Sequence, residues 1–414
     1  MQLMKIAHVG IGPSQDSVNG IAVSGWGLAN EQCRLGHDVS ILFTGRPPPL
    51  EPQREGPLPL CIAGGDWLPL SHSFRHLLRR GRFDVVHMHS VFVPMQARLA
   101  ALLWRVGIPY VVSVHGGLDP HVLRRNPIKK SLYLQFIERP RLEHAAGIAL
   151  VLPEEETAVR AVARHYRGVL HWLPNPVEEC RDPGSLPLEP PPERPVLVFL
   201  GRFDVHHKGL DTLVSVAARL REYDVHLYGA CDHGESGKFL QLSRTLPNNV
   251  TVHAPVFGER KQQVLRRATA YIQLSRWEGC SMSILEAMAC GTPCVVSDCT
   301  HFSRWIEQQD LGLVVPHDPD ESAQRIRAAL GDRAKLARWR ERARSFVAEH
   351  WAPTISARES VAFYDQALAY TATMAHRGTY AGQAETGTTR LQHLIKEDTP
   401  QAQITRAASS RNKG

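Results

Sequence analysis

The chain has 414 residues, 43% hydrophobic and 21% charged, which is the composition of a globular rather than a disordered protein. Its length exceeds what a single core usually organises and predicts more than one domain. No run of about eighteen apolar residues occurs, and the first residues lead straight into a strand pattern rather than a secretory leader. We therefore expect a cytoplasmic protein or one peripheral on the inner face of the membrane. The net charge of +7 favours an anionic partner.

Strand and helix patterns alternate along the first half. In order they are KIAHVGIG, a helix at residues 21–35 ended by Gly36, HDVSILFTG, FDVVHMHS, a helix at residues 95–106, and PYVVSVHGG. Similar pairs follow in the second half. This alternation predicts an α/β fold with parallel sheets.

The glycine-rich loop after the first strand does not match a dinucleotide fingerprint. In GIGPSQDSVNGI the third glycine is misplaced, and the second strand ends in Phe43 and Thr44 rather than in an acid that would hold a ribose. Asn19 and Gly20, at the end of this loop, suit a plain turn equally well.

Three histidines stand in or beside predicted strands. His115 lies where a strand runs into a glycine turn, which places it at the carboxyl edge of a parallel sheet, although it could simply bond backbone there. His87 and His89 alternate to one face of a strand, as a metal-binding pair would. The sequence offers no evident third ligand, so we predict structural histidines.

Two basic clusters fall in the first half. They contain Arg75, Arg79, Arg80 and Arg82, and then Arg124, Arg125, Lys129 and Lys130 beside Leu132, Tyr133, Leu134 and Phe136. Interleaved basic and apolar side chains suit docking on an anionic membrane surface, and a solvated helix face over buried residues gives the same pattern. No nucleic-acid-binding module is recognisable, so we expect no nucleic acid partner.

The second half begins after a proline-rich segment at residues 181–195, which predicts a semi-rigid linker. Arg202 and Lys208 follow the strand pattern PVLVFLG and precede a helical one, so they lie where open α/β sheets bind ligands. An arginine fork and a lysine charge together suit a diphosphate, although basic loop residues are more often only solvated.

Glu278 and Glu286 flank a predicted helix start near residue 283. The N-terminus of a helix favours an anion such as a diphosphate, so the two carboxylates would face the neutral hydroxyls of an attached sugar and ribose. Ser283 and Glu286 also satisfy the S-x-x-E capping box, which is the simpler interpretation of Glu286. Glu278 could be solvated in its loop.

Other potential metal ligands do not form a recognisable site. The gaps between Cys280, Cys290, Cys294 and Cys299 fit no common zinc pattern, and we expect reduced thiols. The acidic run at residues 318–320 precedes a helix and is predicted to cap it. We therefore expect no metal and no cofactor.

Together, GRFDVHHKG and EGCSMSILE resemble the retaining GT-B glycosyltransferases of the large family 4 type, also called glycosyl transferases group 1. The resemblance covers about residues 5–370, more closely in the second half. It implies that Arg202 and Lys208 grip the donor diphosphate. It further implies these positions: Glu278 and His115 at the donor sugar as catalytic contacts, Glu286 at the ribose, Gly20 over the donor phosphate, and Ser281 and Met282 among the donor-binding residues.

The resemblance also implies the architecture, two Rossmann-like domains with parallel sheets facing across a cleft. The expected parts are an acceptor-binding domain at 1–180, the linker at 181–195, a donor-binding domain at 196–344, crossover helices at 345–370 and a disordered polar tail at 371–414.

The implied activity is that of a retaining hexosyltransferase. It would move a sugar from a nucleoside diphosphate sugar to an acceptor hydroxyl in polysaccharide or glycolipid assembly, the acceptor being a sugar or a lipid-linked sugar. Two alternatives stay open: a GT-B epimerase or phosphorylase-like enzyme, and a non-catalytic nucleotide-sugar binding protein. The donor sugar, its base and the acceptor depend on loop shapes that one sequence does not fix.

Overall fold

The computed structural model describes residues 3–12, 19–45, 56–63, 70–79, 83–124, 127–180, 192–231 and 234–376. Outside these ranges lie part of the glycine-rich loop (13–18), most of the predicted linker (181–191), the tail from residue 377, Arg80, Arg82 and Arg125, together with the side chain of Arg79.

The first half of the described chain is a parallel sheet of seven strands in the order β3-β2-β1-β4-β5-β6-β7. The strands are β1 (Lys5–Val9), β2 (Asp38–Thr44), β3 (Leu58–Ala63), β4 (Val85–His89), β5 (Tyr110–Ser113), β6 (Gly147–Leu150) and β7 (Val169–Trp172). The helices are α1 (Gly20–Arg34), α2 (His72–Arg79), α3 (Pro94–Val106), α4 (Pro120–Arg124), α5 (Pro127–Tyr133), a π-helical turn (Leu134–Glu138), α6 (Arg139–Glu143) and α7 (Glu155–Val162).

The second half of the described chain is a parallel sheet of six strands in the order β10-β9-β8-β11-β12-β13. The strands are β8 (Val196–Leu200), β9 (Asp224–Tyr228), β10 (Val250–His253), β11 (Ala270–Gln273), β12 (Cys294–Ser297) and β13 (Gly312–Val315). The helices are α8 (Leu210–Ala217), α9 (Ser236–Ser243), α10 (Gly258–Arg267), α11 (Met282–Ala289), α12 (Phe302–Gln308), α13 (Pro319–Leu330), α14 (Arg333–His350) and α15 (Pro353–His376).

The burial of the central strands agrees with their parallel pairing. Every residue of β4, β5, β6, β11 and β12 is buried, as expected for strands covered by helices on both faces. Strand order reverses between β1 and β4 in one sheet and between β8 and β11 in the other. Ligands of open α/β sheets bind beside such reversals, outside the carboxyl ends of the strands.

The last helix returns to the first sheet. Val361, Phe363 and Tyr364 of α15 are buried in the core that surrounds β1 and β6. The preceding helix α14 stays with the second half, so the crossing begins at residue 353 rather than at the predicted 345. Helix α15 also continues to residue 376, which corrects the expectation of disorder for residues 371–376.

Truncation of Phe363 tests how strongly α15 is anchored. A Cβ built on Gly147 would lie 2.4 Å from Phe363 Cε2, so the ring fills a space that only glycine leaves open. We expect Phe363→Ala to lower the free energy of unfolding by about 3–5 kcal/mol through cavity formation. Urea unfolding followed by circular dichroism measures this. The exposed Gln366→Ala on the same helix is the control, and equal losses in both variants would contradict the assignment.

Candidate active site

A cavity of about 290 Å³ lies between the two halves. Its lining contains every residue that the sequence analysis placed in the site: Gly20, His115, Arg202, Lys208, Glu278, Ser281, Met282 and Glu286. The structure thus brings all eight together, while their individual roles stay predictions.

Glu278 is held by four neighbours. Its Oε2 accepts hydrogen bonds from Lys208 Nζ at 2.5 Å, Gln273 Nε2 at 2.8 Å and Ser275 Oγ at 3.2 Å, and His207 Nε2 lies 3.9 Å away. Burial by itself would raise the pKa of Glu278, but Lys208 and His207 outweigh it and hold the pKa below its ordinary value. Glu278 is therefore a fixed carboxylate rather than a solvated loop residue.

Lys208 reaches Glu278 from a tight loop after β8. The Lys208 N–H donates to the carbonyl of Asp204 at 3.0 Å, and Gly209 then adopts a positive φ of 60°. A Cβ on Gly209 would lie only 1.9 Å from the Leu274 carbonyl oxygen, so glycine is required for the loop to pack against the end of β11. This packing buries the Lys208 side chain beside the carboxylate.

Glu286 pairs with a second lysine, and the capping-box interpretation is wrong. Its Oε1 accepts from Lys261 Nζ at 2.6 Å. The N-cap of α11 is Ser281, in an extended conformation, so Ser283 already lies inside the first turn, with its Oγ 2.9 Å from the Tyr271 hydroxyl. Glu286 therefore faces the cavity with its lysine.

Two helix N-termini meet at the cavity. Helix α1 begins at Gly20 and α11 at Met282, and a Cβ on Gly20 would lie 3.2 Å from Met282 Cγ. The Ser281 hydroxyl donates to Gln273 Oε1 at 3.0 Å, which fixes the residue that opens α11. The first-turn N–H groups and the positive ends of both helices favour an anion here.

His115 occupies a strained turn. Its φ is 47°, and Gly116 follows with a φ of 70°. The buried Glu155 carboxyl group accepts from the N–H groups of Gly116 at 2.5 Å and Val151 at 2.7 Å, and burial raises the pKa of Glu155 to about 7. The His115 ring bonds another histidine ring rather than backbone: its Nε2 lies 3.1 Å from His89 Nδ1.

Side chains also meet across the cleft. Asp119 Oδ2 of the first half lies 3.6 Å from His301 Nε2 of the second. The His121 ring stacks on Trp277 with a centroid separation of 5.9 Å, and Trp277 stacks on His207 at 4.6 Å. These contacts join α4 to the loop that carries Glu278.

A third histidine, which the sequence did not make evident, lies beside His87 and His89. His8 on β1 joins them, because parallel pairing sets it opposite His87, and ligand atoms of the three rings lie within 4.8 Å of one another. Both nitrogens of each ring have hydrogen-bond partners within the protein. Besides the neighbouring histidines, these are Gln32, Ser113, His115 and Tyr364.

Among the cysteines, all eight are free thiols. Cys299 groups with Asp298 and His317, with ligand atoms within 4.8 Å of one another, although the sequence spacing gives no sign of it. The acidic run before α13 caps it as predicted, since Asp318 Oδ1 accepts from the Glu321 N–H at 2.8 Å.

Sequence reasoning missed several residues of the site. Lys261 lies in the first turn and a half of α10, after the carboxyl end of β10, a position that could have signalled it. Gln273 occupies the corresponding end of β11, where a buried polar residue in an apolar strand was the available sign. Glu155 and His301 reach the site only through contacts between distant segments, which no local pattern reveals.

Profiles of known families match both halves of the chain. Residues 19–176 match the glycosyl transferase 4-like domain, and residues 194–332 match glycosyl transferases group 1. The chain belongs to the group 1 glycosyltransferases. Its membership agrees with the motifs around Arg202 and Glu278.

Relatives of this glycosyltransferase include mannosyltransferases. The phosphatidyl-myo-inositol mannosyltransferase of Mycobacterium tuberculosis is 27% identical over 317 residues, which is 71% of this chain and 78% of the relative. The MMP alpha-(1->4)-mannosyltransferase of Mycolicibacterium hassiacum is 25% identical over 394 residues, covering 83% and 93% of the two chains.

Solved structures share the architecture of this glycosyltransferase. Sucrose-phosphate synthase from Thermosynechococcus elongatus superposes with a TM-score of 0.73 at 19% identity, over 88% of this chain and 99% of the other. Anabaena HepE in complex with UDP-glucose gives 0.69 at 15% identity, over 87% and 98%. The predicted GT-B fold is confirmed. Across the described ranges, no helix has both the length and the apolar character needed to cross a bilayer.

The Asp119–His301 contact predicts that the opening of the cleft depends on pH. Asp119 raises the pKa of His301 above its ordinary 6.5, helped by Glu154 and Glu155, and His301 lowers the pKa of Asp119 to about 2. The contact is therefore fully formed just below pH 6.5 and is lost as the pH rises through the raised pKa of His301. We expect a larger radius of gyration by small-angle X-ray scattering at pH 9 than at pH 6.

The variant His301→Gln should abolish this difference. The surface histidine variant His72→Gln should keep it, because His72 lies on α2, far along the chain from the cross-cleft contact. A pH effect that persists unchanged in His301→Gln would show that another group controls the cleft.

Proposed function

We propose that this glycosyltransferase moves a sugar from a nucleoside diphosphate sugar to an acceptor hydroxyl with retention of the anomeric configuration. The observation that carries the proposal is the composition of one cavity. Arg202, Lys208 and Lys261 share it with two helix N-termini and with the paired carboxylates Glu278 and Glu286. Cations and helix ends suit a diphosphate, and carboxylates suit the hydroxyls at its two ends.

Donor binding would exchange one partner of an ion pair. In the free protein Lys208 is bonded to Glu278 and is largely shielded from water. A donor diphosphate brings more negative charge to Lys208 than the carboxylate does, so the lysine can turn toward it. Glu278 then has an oxygen available to accept hydrogen bonds from hydroxyls of the sugar. The same exchange at Lys261 would release Glu286 toward the ribose.

The transfer itself would proceed on one face of the sugar. The bond between the anomeric carbon and the diphosphate oxygen breaks as the acceptor oxygen bonds that carbon, and the acceptor proton passes to the departing diphosphate. Negative charge grows on the leaving group, where Arg202, Lys208 and the N-terminus of α11 would stabilise it. No protein nucleophile takes part in this route. Closure of the cleft would exclude water, which otherwise competes for the sugar.

We propose that the transfer needs no metal ion, because protein groups supply the positive charge. Three basic side chains and two helix ends already face the space proposed for the diphosphate. The two carboxylates in the same lining are each paired with a lysine, and paired carboxylates are poor candidates to hold Mg²⁺.

We propose a lipid-linked acceptor at an anionic membrane surface. The segment α5 and the following π-helical turn expose Ile128, Leu132, Phe136 and Ile137, with exposed fractions of 78%, 57%, 70% and 42%. Lys129 is exposed among them. Helix α4 links this patch to the cavity, since Val122 lines it. The mannosyltransferase relative named for phosphatidyl-myo-inositol supports an acceptor of this class.

Turnover of a nucleotide sugar tests the activity. The protein is incubated with uridine, guanosine and adenosine diphosphate sugars, with and without a membrane lipid extract, and nucleoside diphosphate release is followed. We expect Lys208→Met and Glu278→Gln each to lower kcat/KM by about 10²–10³-fold, because each removes a group that stabilises the transition state. The anomeric configuration of the product is read by NMR.

Lys238→Met is the matched control, because Lys238 lies in the same half and is paired with the nearby Glu235 outside the cavity lining. It should turn over the donor at the normal rate. Absence of turnover of every donor would overturn the proposed transferase, and an inverted product would overturn the retaining route.

Vesicle binding tests the membrane surface. We expect the double variant Ile128→Ser, Phe136→Ser to bind anionic vesicles at least about tenfold more weakly, because each apolar side chain contributes about 1.5–3 kcal/mol when buried. Leu240→Ser is the control: Leu240 is 55% exposed but lies on α9 of the other half. Equal losses in the two proteins, or no binding to anionic vesicles by the unaltered protein, would contradict the proposal.

A further inference from the structure

A chain of hydrogen-bonded side chains crosses the first sheet and ends at the cavity. His8 Nε2 lies 2.7 Å from Gln32 Oε1, His8 Nδ1 lies 2.9 Å from His89 Nε2, and His89 Nδ1 lies 3.1 Å from His115 Nε2. His8 and His89 lie on the neighbouring strands β1 and β4, and His115 is the second residue after β5. We call Gln32, His8, His89 and His115 the histidine chain. Its first three members are buried, and His115 lines the cavity.

The orientation of the Gln32 amide is fixed from α15. The Ser360 hydroxyl donates its proton to the Ala357 carbonyl at 2.7 Å, so its oxygen can only accept from Gln32, at 2.8 Å. The group of Gln32 that faces Ser360 is therefore the NH2. Its carbonyl oxygen must face His8.

This orientation determines where each proton lies. A carbonyl oxygen only accepts, so His8 must carry its proton on Nε2, and in the neutral ring Nδ1 is then an acceptor. His89 must consequently donate from Nε2 and accept at Nδ1. His115 in turn donates from Nε2, which leaves its Nδ1 without a proton. Among the described residues, no protein atom forms a hydrogen bond with His115 Nδ1.

Burial keeps the rings uncharged, as this reasoning requires. It lowers the pKa values of His8 and His115 to about 4 and that of His89 well below its ordinary value. Burial also lowers the pKa of the adjacent His87, whose ring stacks on His89 at a centroid distance of 4.2 Å. His87 therefore places no charge beside the histidine chain at neutral pH.

We propose that Gln32, His8 and His89 are positioning residues that hold His115 as the Nε2–H tautomer, so that its Nδ1 accepts a hydrogen bond from a hydroxyl of the bound donor sugar. The proposal rests on the proposed function for the identity of the ligand. The histidine chain is then a determinant of donor specificity. A site that requires a hydroxyl donor rejects an analogue that carries fluorine in place of that hydroxyl, because fluorine cannot donate, whereas the opposite tautomer would present an N–H that can donate to either group.

The tautomer can be read directly in the free protein. Histidine is labelled with nitrogen-15, the His115 signals are assigned by their loss in His115→Gln, and the shifts of the two ring nitrogens identify the protonated one. We expect a proton on Nε2 and none on Nδ1. The test needs no substrate, so failure of the proposed function would not obscure it.

Variants then test the direction of the hydrogen bonds along the histidine chain. Gln32→Met removes the acceptor for His8, and we expect mixed His115 tautomers and about a two- to tenfold loss of kcat/KM, because only the fraction in the Nε2–H tautomer stays competent. His87→Gln is the matched control, a buried histidine of the same cluster whose nitrogens bond Tyr364 and Ser113 outside the chain. It should cost stability and leave the tautomer unchanged.

Specificity provides the second readout. With the nucleotide sugar that the panel identifies and its series of monodeoxyfluoro analogues, the unaltered protein should reject one analogue by at least about 10²-fold, and Gln32→Met should reduce that preference to below about tenfold. A proton on Nδ1 of His115 in the unaltered protein would overturn the proposal, whatever the activity. So would an unchanged tautomer in a folded Gln32→Met protein.

Discussion

Parallel strand pairing is the constraint from which the site follows. It places the carboxyl end of every strand at one edge of its sheet, so loops that are far apart in sequence converge there. In this glycosyltransferase two such edges border one cavity, and the loops at each edge place different groups in its lining. The first sheet supplies His115 and the N-terminus of α1, and the second supplies Lys208, Glu278 and the N-terminus of α11. Neither edge alone holds all of these residues and helix N-termini.

Much of this arrangement could be predicted because it depends on local patterns. Alternating strands and helices indicated the parallel sheets, and a charged residue just after a strand must lie at the carboxyl edge. Arg202 and Lys208 lie in the connection after a strand pattern and Glu278 lies before a helix start, and the structure places all three in the cavity. Asp318 caps its helix as its position before α13 indicated.

The failures share a cause, which is that contacts across the fold override local signals. Ser283 has the spacing of a cap, but the N-cap of α11 is Ser281, two residues earlier, and the Ser283 hydroxyl hydrogen-bonds Tyr271 instead. His8 joins His87 only because β1 and β4 are neighbours despite the segments between them. The end of α15 likewise depends on packing against the first sheet, which a polar tail sequence does not reveal.

The two passages of the chain between the halves lie side by side. The Val177 N–H donates to the Trp351 carbonyl at 2.9 Å, and Trp351 is fully buried against Trp172, Trp305 and Phe346. Asn175, two residues before Val177, lines the cavity, so the crossing and the site share one short stretch of backbone. Any movement of one half against the other at this crossing would therefore change the shape of the cavity.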